Sequence, residues 1–376
     1  MEINILHYLP ENTIIKVEDN TLKLFPQMRL SELSKQLGIN LKNMGRYKNG
    51  KRGIPLILFK KLLEISNQNI LDFQGKIMIK IGNTGDYLKI GPYLEITSDW
   101  IYISQLINGD GHIAQNLWHI AFVNNNEILI DYVYNFFKSL GLAENHFSRI
   151  KREDATFLII RSAIIAVLLN QIFEVSIGKK GEISIPKFIL TDKNFEIAAI
   201  RGAFDSEGCI SFSGSRRISI TSNSSNWIYQ LNQILNNLKI KSRVFKEEKN
   251  RERPIYRLFI THIINIKKFY EIIKPLHSER YEKLGRIIQE FKQNYNNQFH
   301  KEILSLIKHG ISRKRDIAKK INQNLNVTNN NLIWLKKYRL IYPKEKYVTN
   351  EGCFFVYSLT EKGERFLKEE STSFFD

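Results

Sequence analysis

Twice along this chain, apolar residues change period in the same order. Over 126–140, Leu129, Val133, Phe136, Phe137 and Leu140 fall three or four apart, the spacing of one helix face. Over 226–238, Ile228, Leu231, Ile234, Leu235 and Leu238 do the same. Each helix is preceded by alternating polar and apolar residues, HIAQNLWHIAFVNN and CISFSGSRRISITS, a period that predicts a strand pair, the second turning at Gly214. Each is followed by a second pair: HFSRIKR with ATFLIIRS around Glu153-Asp154, and SRVFKEEKNRERPIYRLFIT around a polar turn. An apolar helix then closes each set, over 162–173 and 262–273.

Ahead of each set stands a short stretch of apolar and small residues ending in an acid and a glycine. ISQLINGDG covers 103–111 and IRGAFDSEG covers 200–208. In both, isoleucine is first, a small residue seventh, an acid eighth and glycine ninth. The acids, Asp110 and Glu207, stand about one domain length apart. Each unit therefore reads αββαββα, with the acid-ended stretch as its first helix. The core, 98–295, is a duplication with copies about 98–190 and 191–295.

The flanks have patterns of their own. In RLSELSKQLGINLKNMGRYKNGKRGIPLILFKKLLEIS, over 29–66, Ser31 is the expected N-cap of a short helix that Gly38 ends. Asn40 caps a second helix, Asn49-Gly50 breaks it, and 54–65 forms a third with Pro55 in its first turn. This resembles a helix-turn-helix of the Cro and phage-repressor type and defines a domain over 1–74. The resemblance implies that Asn40, Lys42, Asn43, Arg46 and Tyr47 face DNA, with Lys48, Lys51 and Arg52 near phosphate. Glycine-rich residues 75–97 read as a β-rich connector. Over 299–376, a helix ends at Gly310, a second begins at Ser312 and a third covers 326–338. A hairpin turning at Asn350 to Gly352 and a helix over 361–369 follow. That order resembles a winged helix. It implies Asn329, Asn330, Asn331 and Lys337 on or near a recognition helix and Lys344 and Lys346 on the wing.

Composition sharpens this picture. The 376 residues suffice for two to three domains, and 43% are hydrophobic, too many for a disordered chain. No apolar run reaches the roughly 18 residues of a membrane span, and the N-terminus lacks the basic region of a secretory signal. Two cysteines, Cys209 and Cys353, fit neither a zinc spacing nor a disulfide framework. A cytoplasmic, nucleoid-associated protein is expected. Lysine and arginine number 56 against 38 acids, a net charge of +18, which points to a polyanion and foremost to nucleic acid.

The two acid-ended stretches resemble the LAGLIDADG motif of homing endonucleases, in the single-chain form with two copies, and the resemblance covers about half the chain. It implies an α+β fold: a pseudo-twofold pair of αββαββα repeats forming a saddle, flanked by two mainly helical DNA-binding domains. The motif helices pack side by side, and each brings its acid to the DNA. A carboxylate at each helix end offers Mg²⁺ (or Mn²⁺) a hard oxygen ligand. Asp110 and Glu207 take that role, with the carbonyls of Gly109 and Ser206 as further ligands. Lys180, beside Lys179, and Arg280 are the implied basic residues near the scissile phosphates. The sheets read sequence through Arg149, Arg161, Arg216, Arg217, Arg243, Lys246 and Arg257.

The implied activity is site-specific hydrolysis of double-stranded DNA with a divalent metal, by a monomer, in the service of intron mobility. A DNA-binding transcriptional regulator, or an RNA maturase acting on intron RNA, are the other readings of such a scaffold. An intein is not expected, because the chain starts with Met and ends Ser-Phe-Phe-Asp. Three positions depart from the family pattern. Gln105 stands where glycine is usual, Asn108 replaces the first motif Asp that Asp205 keeps, and Arg201 is long for a helix seam and is expected to point outward.

Overall fold

The computed structural model describes residues 1–18, 21–82, 86–179, 181–212, 216–247, 254–295, 298–349 and 352–368. Lys180 and the turns expected around Gly214 and Asn350 lie outside them. Two compact units divide the chain, Met1–Gly285 and Arg286–Asp376.

Unit 1 opens with β1 (Glu2–Asn4) and β2 (Thr13–Val17). Then come α1 (Leu30–Gln36), α2 (Leu41–Lys48), β3 (Ile54–Pro55), α3 (Leu56–Ile65), β4 (Ile77–Ile81), β5 (Leu88–Lys89) and β6 (Tyr93–Glu95). The strands pair as β3-β2-β4-β5, and β1 pairs with β6. Sequence reading put a helical domain before residue 74 and a separate connector after it. The structure instead threads the three helices through one sheet whose strands come from both sides of that boundary. Thr13, Ile15 and Val17 alternate inward along β2 and anchor it. Arg29, not Ser31, occupies the N-cap of α1 and makes no side-chain bond, whereas Asn40 does cap α2 by accepting from the Lys42 amide at 2.9 Å.

The first repeat is α4 (Ser98–Asp110), β7 (Gly111–Ile113), β8 (Ile120–Asn124), α5 (Glu127–Ser139), β9 (Phe147–Lys151), β10 (Thr156–Ile160) and α6 (Ala163–Phe173). The second is α7 (Lys193–Glu207), β11 (Gly208–Ser211), β12 (Arg217–Ser222), α8 (Ser225–Asn237), β13 (Arg243–Glu247), β14 (Ile255–Ile260) and α9 (Ile263–Ile273). Their antiparallel sheets have the same order, β7-β8-β10-β9 and β11-β12-β14-β13. α10 (Ser278–Tyr295) follows.

α4 is buried from Trp100 through Gly109, its polar Ser104, Gln105 and Asn108 included, so it is enclosed on every side. It runs alongside α7, and the two touch at matched places. A Cβ on Gly202 would lie 2.5 Å from the Tyr102 carbonyl oxygen and 2.9 Å from Gln105 Cβ. One turn on, a Cβ on Gly109 would collide with the Ser206 side chain. Residues four apart on one helix meet residues four apart on the other in the same order, so the helices are parallel and end together. Gln105 fits because the glycine faces it. Its side chain is fully buried, and its Oε1 accepts from Trp227 Nε1 on α8 at 2.8 Å.

The repeats also clasp each other reciprocally. After α6, the loop through Ile183 and Ile185 is bonded to Ser224 and Gln230 at the start of α8, at 2.8 and 2.7 Å. After α9, His277 Nδ1 and Ser278 Oγ each accept from Asn126, the cap of α5, at 3.3 Å. The N-terminal sheet segment meets the first repeat through Asp86 and His146, paired at 3.4 Å.

Unit 2 holds α11 (Gln298–Lys308), α12 (Lys314–Lys320), α13 (Leu325–Lys337), β15 (Ile341–Thr349), β16 (Gly352–Leu359) and α14 (Glu361–Lys368). Ile303, Leu304, Ile317, Leu332, Leu335 and Phe366 form its core. Arg313 bridges to Val356, adding a short third strand to the hairpin. The N-cap of α12 is Arg313 rather than Ser312, and Asn324 caps α13.

Two substitutions test the seam. Gly202→Ala should destabilise unit 1 by about 1–3 kcal/mol, the cost of overpacking against fixed backbone. Gln105→Leu should cost about 1–3 kcal/mol by orphaning the buried Trp227 N–H. Gly45→Ala, whose Cβ meets only Leu30 at 3.9 Å, should leave the unfolding midpoint unchanged or raised. Urea denaturation reads all three.

Candidate active site

The parallel seam brings Asp110 and Glu207 together, at the ends of α4 and α7. A Cβ on Gly109 would lie 3.2 Å from Glu207 Cγ, so the second acid stands directly beside the end of α4. Asp110 Oδ2 accepts from Asn124 Nδ2 at 2.7 Å, which orients that carboxylate from β8. Gly111 and Gly208 do not bend the chain into a special conformation; both are extended, with φ of −119° and −74°. Their need is for space, since a Cβ on Gly111 would lie 2.8 Å from the Ala121 carbonyl.

Arg280 was expected beside a phosphate. Its guanidinium instead turns into the end of α7, where Nη1 donates to the carbonyls of Phe204, at 2.7 Å, and Asp205. Nη2 donates to the carbonyl of Ser206 at 3.0 Å. The Asp205 and Ser206 carbonyls are among those a helix C-terminus leaves without intrahelical partners, that of Phe204 also accepts the Gly208 amide, and a cation there opposes the negative end of the helix dipole. Burial lowers the Arg280 pKa, while the charges of Asp205, Asp110 and Glu207 work against that. Arg201 likewise does not point outward: its Nε donates to the carbonyl of Ile273 at the end of α9, at 2.6 Å.

The two inner motif positions differ. Asp205 is fully buried, and its carboxylate accepts from Tyr102 Oη at 2.8 Å and from the amides of Leu276 and His277 at 2.9 and 3.2 Å. Burial still raises its pKa against those donors. Asn108 is buried with neither amide atom bonded among the described residues. It lines a cavity of about 550 Å³ shared with Glu207, Glu182, Ser222 and Tyr256. Glu182 accepts from Ser224 Oγ at 2.8 Å and from the Asn226 amide at 3.2 Å, so it is bound to the start of α8.

No group of three or more His, Cys, Asp or Glu is placed to hold a metal among the described residues. The helix ends offer two carboxylates and backbone carbonyls instead, with the Ser206 carbonyl already accepting from Arg280. Such an all-oxygen, partial set fits Mg²⁺, which keeps waters and takes substrate phosphate oxygens rather than a full protein cage.

Strand register sorts the expected DNA contacts, because facing residues share a side of the sheet. In the first sheet, Arg149 stands opposite Leu158, which is buried against the helices. Arg149 duly pairs with Glu127 and, at 2.7 Å, with Asp131 on α5. It is therefore turned away from the open face where a duplex contact was expected. Arg161, just past β10, is exposed and donates to Ser148 Oγ at 2.7 Å. In the second sheet, Arg243 opposes Phe259, and Arg257 opposes both Thr221 and Phe245, which places both arginines on the open side. Arg217 joins them by alternation with Ser219, its guanidinium 4.9 Å from the Phe259 ring centre. Lys246 opposes Tyr256, which meets Tyr229 of α8, so it belongs to the helix side. Arg216 is half-buried just before β12.

In the flanks, Lys42 and Arg46 are exposed one turn apart on α2, and Asn43 accepts from Arg52 Nη1 at 3.3 Å. Asn40 and Lys51 are also exposed, but Tyr47 is in the core. Asn330 and Lys337 lie on the outer side of α13, while Asn331 Nδ2 folds back onto the Val327 carbonyl at 3.0 Å.

The second repeat is similar to the family described as the LAGLIDADG-like domain. Residues 194–274 match that family's description, from the second residue of α7 to just past α9. No curated protein matches the chain. Among solved structures, mesophilic variants of the homing endonuclease I-DmoI are similar at a TM-score of 0.37 and 17% identity, over 47% of this chain and 96% of that one. I-DmoI in complex with DNA and Mn gives the same figures. Full-length DUF199/WhiA from Thermatoga maritima is similar at a TM-score of 0.36 and 16% identity, over 65% of this chain and 93% of that one.

His277 gives a pH test of the clasp. Burial, with Arg280 nearby, pushes its pKa down to about 4 from 6.5. Between those values the unfolded chain holds a proton that the folded one lacks, so stability falls as pH drops from 7 towards 4. The expected loss is about 3 kcal/mol at the lower end. Urea unfolding of His277→Gln should lack this component of the pH dependence.

Proposed function

We propose that this chain is a site-specific, divalent-metal-dependent DNA endonuclease. The observation that carries this is the parallel seam, which sets Asp110 and Glu207 at the ends of two adjacent helices, one acid from each repeat. Two strands of a duplex present two phosphodiesters, and a pseudo-twofold pair of half-sites would address one each. Asp110, oriented by Asn124, and Glu207, held by the clamped end of α7, are the ligands, with the carbonyls of Gly109 and Ser206 beside them. Bound there, Mg²⁺ or Mn²⁺ would supply the Lewis acidity for activating water and stabilising the leaving oxygen. Arg280 serves as a positioning residue that fixes the α7 terminus. Lys180 remains the proposed basic residue of the first half. Unit 2 and the α1–α3 segment would add contacts along the duplex through Lys42, Arg46, Asn330 and Lys337, consistent with the charge of +18.

One observation favours a second reading, a DNA-binding regulator that does not cut. The Arg280 donors are engaged by helix carbonyls, including that of Ser206, so neither Arg280 nor that carbonyl is open as expected for a cleaving site.

Incubating the protein with a random duplex library and Mg²⁺ or Mn²⁺ separates the two. Cleavage products should accumulate at a defined sequence. Asp110→Asn and Glu207→Gln should each reduce cutting on the order of 100-fold or more while retaining binding. Tight binding of a defined site with no nick under either metal would establish the regulator instead.

A further inference from the structure

The two open sheet faces differ in chemistry. On the second sheet, alternation places Arg217, Arg243 and Arg257 there with Ser219, Thr221, Phe245, Phe259 and Glu247, and Arg257 Nη2 pairs with Glu247 at 2.9 Å. On the first sheet, the residues out of step with the buried Ile120, Phe122, Leu158 and Ile160 are Ala121, Val123, Phe157 and Ile159. Ile150 stands opposite Phe157 and is 46% exposed. The face has two polar members, His112 opposite Ala121 and Ser148 opposite Ile159. It bears no arginine or lysine on its strands, because Arg149 and Lys151 are out of phase and belong to the helix side.

The occupant of this apolar face follows from its position. β7 begins directly after Asp110, as β11 begins directly after Glu207, so both faces start at the paired acids. Cations flank the apolar strip: the Arg152 guanidinium lies 4.4 Å from the Phe157 ring centre, and Arg161 reaches Ser148. A basic border around an uncharged centre suits a polyanion with apolar groups in its groove. In duplex DNA the apolar group on a base edge is the thymine methyl, which lies in the major groove and which Ala and Phe contact.

Resting on the DNA reading above, we infer that the two repeats read a duplex by different means. The second sheet discriminates bases by hydrogen bonds from its arginines. The first selects thymine through methyl contact with Val123, Ile150, Phe157 and Ile159. Base recognition is therefore one-sided in kind, and thymine enrichment belongs to the half-site under the first repeat.

The test measures binding, not cleavage, with full-length Asp110→Asn protein. A site is first selected from random duplexes. Arg217→Ala/Arg243→Ala/Arg257→Ala, checked for folding by circular dichroism, marks the half-site under the second repeat as the half where base preference relaxes. Deoxyuridine, which lacks only the methyl, then replaces thymine in one half at a time. Replacement in the unmarked half should weaken binding several-fold, and replacement in the marked half less than twofold. Ile150→Ser should reduce the sensitivity in the unmarked half. Equal losses in both halves, no loss in the unmarked half, or no thymine preference there overturns the inference while leaving DNA binding intact. Failure to select any duplex removes the DNA reading itself, and the inference with it.

Discussion

The structure depends on how closely α4 and α7 approach. Gly202 lets the backbone of the second motif helix reach that of the first, and the space released is filled by Gln105. A glutamine in a seam would be costly if its amide were unsatisfied. Here its carbonyl oxygen meets the only polar atom of Trp227, so two buried polar groups satisfy one another. The glutamine that departs from the motif pattern is half of a complementary pair.

From that contact the site follows. Matched approach at Gly202 and Gly109 holds the helices parallel, and parallel helices of matched register end together. Their C-termini would concentrate unpaired carbonyls and negative dipole ends beside two carboxylates. Arg280 answers this by lying across the last carbonyls of α7. Its charge compensates the helix end and the acids together, which is a physical reason for an arginine there: the planar fork serves several carbonyls at once, as a lysine would not.

Much of the architecture was legible because it lies in local patterns. The helix and strand periods, repeated in one order, specify the elements of both copies, and the acid-glycine endings locate the helix termini. What was not legible depends on contacts remote in sequence. Whether Arg149 faces a ligand or α5 turns on strand register, and one step of parity reverses it. The β2–β4 pairing spans three intervening helices, so 1–74 and 75–97 looked separable. Arg280 was located by its offset from Glu207, but its partners are set by how α10 meets the end of α7. Trp227 carries no motif, and its bond to Gln105 crosses 122 residues.

The reciprocal clasp has a consequence for how the protein is made. Asn126 caps α5, yet the groups it binds across the interface, His277 and Ser278, come 151 and 152 residues later. At about 5–20 residues per second, a ribosome needs roughly eight to thirty seconds to travel that distance. For a little over half of that interval, until α7 is complete at Glu207, α4 has no partner helix to lie against. The first repeat is thus exposed while nascent, and it is the end of the second repeat that closes it.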